Sequence, residues 1–310
     1  MTKFQLTILG CNSATFAYNR HHTAQLLNIH DRQYLIDCGE GTQIQLQKYK
    51  VKIKRLNHIF ISHLHGDHYL GLIGLLFSMH LSHRTEPMYI YAPNGLDEIL
   101  TTHLRHANTQ LNFPIHFRAT NPEKSEILLD EDEVLVRSFP LDHRIPCCGF
   151  VFEENHTQRR LQIDLLPPAV QPYHLVALKN GEDVEIGGRI FRSEAVTLPP
   201  KPNKKYAYCS DTRYNEAILP YIAGANLLYH EATFGSSDEE RAAQTFHSTA
   251  QQAAIIALKA NVNQLVIGHY SSRYEDVTPL LAEAQSVFAD TIAAEEGKVI
   301  EIQNCEAMSN

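Results

Sequence analysis

What this 310-residue chain has little of narrows the field before any motif is read. No apolar run approaches the roughly 20 residues needed to cross a bilayer. The longest, Tyr69 to Leu81, is shorter and contains His80, so no membrane span is expected. The six cysteines (Cys11, Cys38, Cys147, Cys148, Cys209 and Cys305) include no CxxC pair. Residues 1 to 10 lack the cationic, hydrophobic and cleavable parts of a secretory leader, and together these features point to a reducing cytoplasm. Positive charge is also scarce. With 27 Lys and Arg against 35 Asp and Glu, the net charge is -8, which repels nucleic acid at long range and makes any such binding depend on a local basic surface. There is no low-complexity tract and no short-period repeat.

What is present is ordinary for a folded protein: 44% hydrophobic and 20% charged residues, enough for a single large α/β domain over 1 to 310. Histidine is the exception, at 18 copies, several of them at the ends of β-like runs.

Strand-like runs open the chain at 3 to 10, 24 to 30 and 32 to 38, the last two reading as a hairpin turned at Asp31-Arg32. A helix is expected over 41 to 49, a buried strand at 58 to 62, a helix from Tyr69 to Leu81, a strand at 88 to 93 and a helix over 96 to 107. The middle reads as mostly β, at 133 to 141, 147 to 154, 159 to 166, 174 to 178 and the hairpin 184 to 191, linked by proline-rich stretches at 167 to 172 and 199 to 205. The last third alternates: strand 206 to 210, helix 214 to 223, strand 226 to 232, helix 248 to 260, strand 264 to 269, helix 276 to 288. Two similar halves imply two sheets, each covered by helices.

The chemistry begins at His63-Leu64-His65-Gly66-Asp67-His68, directly after the strand at 58 to 62. His63 and His65, two apart in extended chain, project to one side and can share a metal ion, and Gly66 lets the backbone turn so that Asp67 and His68 reach a second position. His143, Asp211 and His269 stand at the same structural address, the end of a strand-like run. A carboxylate such as Asp211 can bridge two cations. Each also has a plainer reading: His143 paired with Asp142, Asp211 capping the helix from Tyr214, His269 as a satisfied core residue.

The set resembles the metallo-β-lactamase superfamily, whose His-x-His-x-Asp-His signature is followed by His, Asp and His at later strand ends. The resemblance covers nearly the whole chain and implies a four-layer αβ/βα sandwich. It also implies two zinc ions per subunit, with manganese or iron able to take their place. His63, His65 and His143 would bind one ion, Asp67, His68 and His269 the other, with Asp211 between them.

Within that superfamily the segments Asp37 to Thr42, His230-Glu231-Ala232-Thr233, His247-Ser248-Thr249 and Ser271-Ser272-Arg273-Tyr274 resemble ribonuclease Z, the tRNA 3′-end endonuclease family. The resemblance implies a cytoplasmic homodimer that removes the 3′ trailer from precursor tRNA. Asp67 would orient the attacking water, and Glu231 would orient His247, which would protonate the leaving 3′ oxygen. Thr249, Ser271 and Arg273 could contact substrate phosphate. As alternatives, Ser248 and Thr249 could cap a helix, and Arg273 could pair with Glu275 or Asp276.

The family's tRNA-binding arm reaches the substrate on the partner subunit. Residues 151 to 185 stand in its place without the usual Gly-Pro repeats, as an altered, irregular inserted arm. The family's early Pro-x-Lys-x-Arg-Asn loop is replaced by Thr15 to Arg20. Basic surface is sought at Lys48, Lys50, Lys52, Lys54 and Arg55, at Arg159-Arg160 and from Lys201 to Lys205. Two other functions fit the same residues: a phosphodiesterase for small or cyclic nucleotides, and a non-catalytic RNA-binding scaffold stabilised by metal.

Overall fold

A computed structural model describes residues 3 to 131 and 133 to 304; Cys305 and the outermost ends of the 1 to 310 span lie outside the described residues. The chain divides into two compact units: Met1–Asp130, Leu135–Glu153 and Lys204–Asn310 form the larger, Glu131–Val134 and Glu154–Asn203 the smaller.

The larger unit is built on two seven-stranded mixed sheets. In spatial order the first runs Val299–Glu301, Phe4–Gly10, Ala24–Ile29, Arg32–Ile36, Leu56–Phe60, Met88–Ala92 and Ile115–Ala119. The second runs Thr291–Ala293, Leu265–Gly268, Leu227–Glu231, Lys205–Cys209, Cys148–Glu154, Val134–Pro140 and Glu126–Glu131. Aromatic side chains fill the space between them. Phe60 meets Phe150 and Phe152 edge-on at 5.6 and 5.0 Å, and Tyr34 lies 5.8 Å from Phe152. All four are fully buried, each contributing on the order of 2 kcal/mol by burial. Two of the buried phenols also hydrogen-bond to polar side chains of the first sheet and the turn after it: Tyr208 donates to Asp37 at 2.6 Å and Tyr206 donates to Gln25.

Helices cover the outer faces. Gly66–Leu81 buries Leu72, Leu75, Leu76 and Met79, a three-four spacing that presents one apolar stripe to the first sheet, where Leu46, Leu96 and Leu100 of two further helices join it. Ala250–Lys259 buries Ala253, Ala254, Ile256 and Ala257 against Leu227–Glu231 and Leu265–Gly268. The expected helix–sheet–sheet–helix layering is the fold of this unit.

Several local expectations need correcting. The first hairpin pairs Ile29 with Arg32, so its turn is His30-Asp31, both at positive φ, rather than Asp31-Arg32. Residues 174 to 178 lie in the helix Pro172–Lys179, not in a strand, because Pro172 sits in its first turn and Gln171 with His174 forms a capping box. Of 159 to 166 only Arg160–Leu161 is strand, paired with Thr197–Leu198, and a short turn of helix at Ile163–Leu165 follows. The helix expected over 214 to 223 is broken into Glu216–Ile218 and Leu219–Ile222. Strand Ile115–Ala119 is missing from the sequence reading although Ile115, Phe117 and Ala119 alternate with His116 and Arg118; it is short and largely exposed at a sheet edge.

The smaller unit has its own modest core of Leu178, Val184, Ile186 and Val196. Its hairpin Val184–Ile186 and Arg189–Phe191 turns at Gly187 and Gly188, both at positive φ. Arg159 and Arg160 are tied into this unit, to Thr197 Oγ1 at 2.7 Å and to the Pro199 carbonyl at 3.0 Å. Among the described residues, no helix is long and apolar enough to cross a membrane.

Candidate metal centre

Strand Leu56–Phe60 runs on through His63 into helix Gly66–Leu81, whose N-cap is His65 in extended conformation. Asp67 therefore falls in the first helical turn, where the helix dipole favours negative charge. The turn at 37 to 42 locks this helix start in place. Cys38 N–H donates to the His68 carbonyl at 2.7 Å and Gly71 N–H to the Cys38 carbonyl at 2.9 Å. A Cβ on Gly71 would stand 2.0 Å from the Gly39 carbonyl oxygen, so only glycine permits the approach.

The seven expected side chains converge. His63 Nε2 lies 3.0 Å from His65 Nδ1, and His143 Nε2 lies 3.1 Å from the same atom. Asp211 Oδ2 faces His63 and His143 at 3.5 and 3.7 Å. Its other oxygen, Oδ1, faces His68 and His269 at 3.2 and 3.0 Å, and Asp67 Oδ2 lies 3.4 and 3.6 Å from the same two rings. Asp211 thus stands between two clusters, one oxygen to each. Donors held about 2.1 Å from a tetrahedral ion sit about 3.4 Å apart, which is the spacing seen here.

The outward ring atoms show how each donor is aimed. Buried Asp37 accepts from Ser62 N–H at 2.7 Å and, at Oδ2, from Ser62 Oγ at 2.9 Å and His68 Nδ1 at 2.7 Å. The Ser62 hydroxyl, committed to Asp37, accepts from His63 Nδ1 at 3.0 Å. His143 Nδ1 donates to the Phe246 carbonyl at 3.1 Å, and His269 Nδ1 to Thr233 Oγ1 at 2.9 Å. With Nδ1 so occupied, each of these rings presents Nε2 to the cavity, the arrangement that orients metal-binding histidines. His68 Nε2 and His269 Nε2 are buried yet make no hydrogen bond. An orphaned buried acceptor is costly, and a cation would satisfy both.

Charge tells the same story. Burial holds His63, His65 and His143 below their ordinary pKa, in the neutral form that ligates a metal. Burial also opposes charge on His68, but Asp211, Asp67 and Asp37 raise it well above the ordinary value. A proton there fills a cation's place. Burial disfavours ionised Asp211, but His269, His68 and His63 keep it well below the usual carboxylate range. The donor set therefore fits two divalent ions.

Glu231 ends the strand Leu227–Glu231, fully buried, and accepts from His247 Nδ1 at 2.8 Å, Thr212 N–H at 2.8 Å and Ser248 N–H at 3.1 Å. Burial lowers the pKa of His247, but the Glu231 carboxylate overcomes it and raises the ring to about 9. His247 lines the same cavity, of about 520 Å³, as His65, Asp67, Asp211 and His269, and Ser271 lines it too.

The remaining candidates fall elsewhere. Thr249 is buried, does not line the cavity, and caps helix Ala250–Lys259, accepting from Gln252 N–H at 3.2 Å. Arg273 is exposed and does not line the cavity. Asp142 pairs with Arg213 at 2.6 Å rather than with His143. Arg20, from the early loop, donates to the Glu275 carbonyl at 2.9 Å and ties that loop to the segment after Ser271. Of the basic run, Lys52, Lys54 and Arg55 line a separate cavity of about 430 Å³ with Arg84. Sequence reasoning missed the orienting roles of Asp37, Ser62 and Thr233, and it missed Arg144, which reaches the cavity from the position after His143.

Paired mixed sheets with an imidazole- and carboxylate-lined cavity at their strand ends define a hydrolase of the metallo-β-lactamase fold. A metallo-β-lactamase fold protein of Bacillus subtilis, YhfI, superposes with a TM-score of 0.68 at 20% identity, covering 96% of this chain and 99% of its own. A family model described as the anti-Pycsar protein Apyc1 matches residues 4 to 158. Human tRNase Z, short form, superposes with a TM-score of 0.70 at 26% identity, covering 97% of this chain and 100% of its own. A ribonuclease Z of Bacteroides fragilis is 45% identical over 304 residues, 97% of this chain and 100% of that one. The chain belongs to the ribonuclease Z family, and is accordingly a hydrolase of the endoribonuclease class.

Proposed function

We propose that this protein removes the 3′ trailer from precursor tRNA by hydrolysing one phosphodiester and leaving a 3′ hydroxyl. The observation that carries the reading is the union, in one cavity, of two donor clusters sharing Asp211 with the Glu231–His247 pair. His63, His65 and His143 would hold one ion and Asp67, His68 and His269 the other, with Asp211 shared. Zinc is the proposed metal, since the first cluster offers three imidazoles and the second two imidazoles with the Asp67 carboxylate, Asp211 being shared by both, a set that manganese or iron can also occupy. Such ions, when bound, supply Lewis acidity toward a phosphate and make nearby water a better nucleophile.

The chain's own residues do the rest. Asp67, partly reachable from the cavity, orients the attacking water and accepts its proton. His247 gives its proton to the leaving 3′ oxygen, and Glu231 fixes the ring so that Nε2 carries that proton. Ser271 is placed to donate to a phosphate oxygen.

The smaller unit, which includes most of the altered arm at 151 to 185, is the proposed tRNA-binding element. We further propose a homodimer working in the cytoplasm, where the described cysteines, all buried and free, stay reduced. The test is cleavage of a precursor tRNA by metal-reconstituted protein, with the ends of both products mapped. A single cut beyond the acceptor stem supports the reading. Failure to cut, alongside rapid hydrolysis of bis(p-nitrophenyl) phosphate, would assign the site to small phosphodiesters instead.

A further inference from the structure

The metal cavity has a neighbour formed by the same two backbone segments. Between His63 and His65, Leu64 lines a second cavity of about 320 Å³, as alternation along extended chain requires. Residues 143 to 146 turn from one cavity to the other through a bend at 144 and 145. His143 faces His65, whereas Ile145 and Pro146 line the second cavity, whose other walls include Pro93 and Pro122. Asn94 stands at its edge on an exposed turn.

Arg144 lies between them in sequence, after His143 and before Ile145. It lines the metal cavity, is exposed, and among the described residues its guanidinium makes no hydrogen bond or ion pair with the protein. An unpaired guanidinium at the mouth of a phosphodiesterase site matches phosphate geometry through parallel donors. The adjoining cavity is within the size range of small-molecule sites (~300–1,000 Å³). Rigid proline and aliphatic walls offer a flat apolar face, and one amide at the edge can meet a base's hydrogen-bonding groups. Unpaired nucleotides are recognised in this way, base in a pocket and phosphate on a cation.

We propose that Arg144 and the cavity bounded by Leu64, Pro93, Pro122, Ile145 and Pro146 form a nucleotide subsite beside the scissile bond. Arg144 holds a phosphate next to the one that is cut, and the cavity takes the base of an unpaired nucleotide flanking it. This rests on the RNA-cleaving reading above.

The experiment compares a precursor tRNA with two copies carrying one abasic nucleotide, immediately 5′ or 3′ of the cut. With wild-type protein, one abasic position is expected to raise KM about tenfold, which is about 1.4 kcal/mol. Ile145→Ala should raise KM for the intact substrate and lose sensitivity to that abasic position. Asn94→Ala, at an exposed turn, repeats the test if Ile145→Ala does not fold. Arg144→Gln should flatten the dependence of log KM on log salt by about 0.7, one single-strand phosphate contact, with Arg144→Lys restoring the slope. A full abasic penalty in both cavity variants together with an unchanged salt slope would overturn the subsite and leave the nuclease reading standing. A wild-type protein that fails to cut any of the three RNAs would overturn both.

Discussion

Asp37→Asn tests whether the proposed metal site is aimed from behind. The substitution keeps the size of a buried side chain that now accepts from Ser62 N–H, Ser62 Oγ, His68 Nδ1 and Tyr208 Oη. What it removes is charge, and with it the acceptor that fixes His68 as the Nδ1–H tautomer. The hydrogen bond lost at His68 is charge-assisted, about 1.5–3 kcal/mol, which corresponds to about ten- to a hundredfold in affinity for an ion held by His68 Nε2. At His63 the effect passes through the Ser62 hydroxyl, a neutral link worth about 1 kcal/mol, so the loss there is expected to stay under tenfold. The two ions should therefore part company. Competition with a chelator, followed by metal analysis, should show one ion leaving at lower chelator concentration and the second close to its wild-type midpoint. Equal weakening of both ions, or no weakening of either in a folded protein, would refute the reasoning.

Other outcomes follow from single contacts. Glu231→Gln, which strips His247 of the carboxylate that raises its pKa to about 9, should lower kcat by about 10²–10⁴-fold, with two ions still bound by metal analysis. Thr249→Ala should cost about 1 kcal/mol in urea unfolding through the lost helix cap, with KM for precursor tRNA near wild type. Gly71→Ala should destabilise the fold by at least 1–3 kcal/mol, seen as a lower unfolding midpoint, because its Cβ would meet the Gly39 carbonyl at 2.0 Å. Removing metal should lower the thermal midpoint by an amount that depends on metal concentration, as linkage requires, and a midpoint indifferent to chelator would count against ion binding in the folded state.

Much of this site could be read from the sequence, and the reason is local. His63 to His68 are consecutive, so strand-to-helix geometry within six residues already sets which side chains share a side. His143, Asp211 and His269 were legible only as residues at strand ends, because their meeting depends on how two sheets pack. Thr249 shows the opposite hazard: a hydroxyl at a helix start looks like a phosphate donor, yet here it caps the helix, buried and outside the cavity lining. Arg144 went unread since an exposed arginine beside a histidine carries no pattern of its own.

Backbone conformation explains why strand ends serve so well here and why sequence alone underdetermines them. Asp37, Asp211 and His269 have φ of 55°, 57° and 59°, a region that costs non-glycine residues about 1–2 kcal/mol. Asp and His tolerate it better than branched residues do, but nothing in their spacing announces it. In each case the kink falls one or two residues beyond the end of a strand, at Ile36, Cys209 or Gly268, so the kinked residue's side chain leaves the strand's alternation. All three side chains then reach the same cluster, Asp211 and His269 directly and Asp37 through His68. Strain of this kind persists where surrounding contacts over-determine it. The bonds from Ser62 to Asp37 and from His269 to Thr233 are such contacts, and they tie the position of the donors to the packing of the two sheets rather than to any one turn.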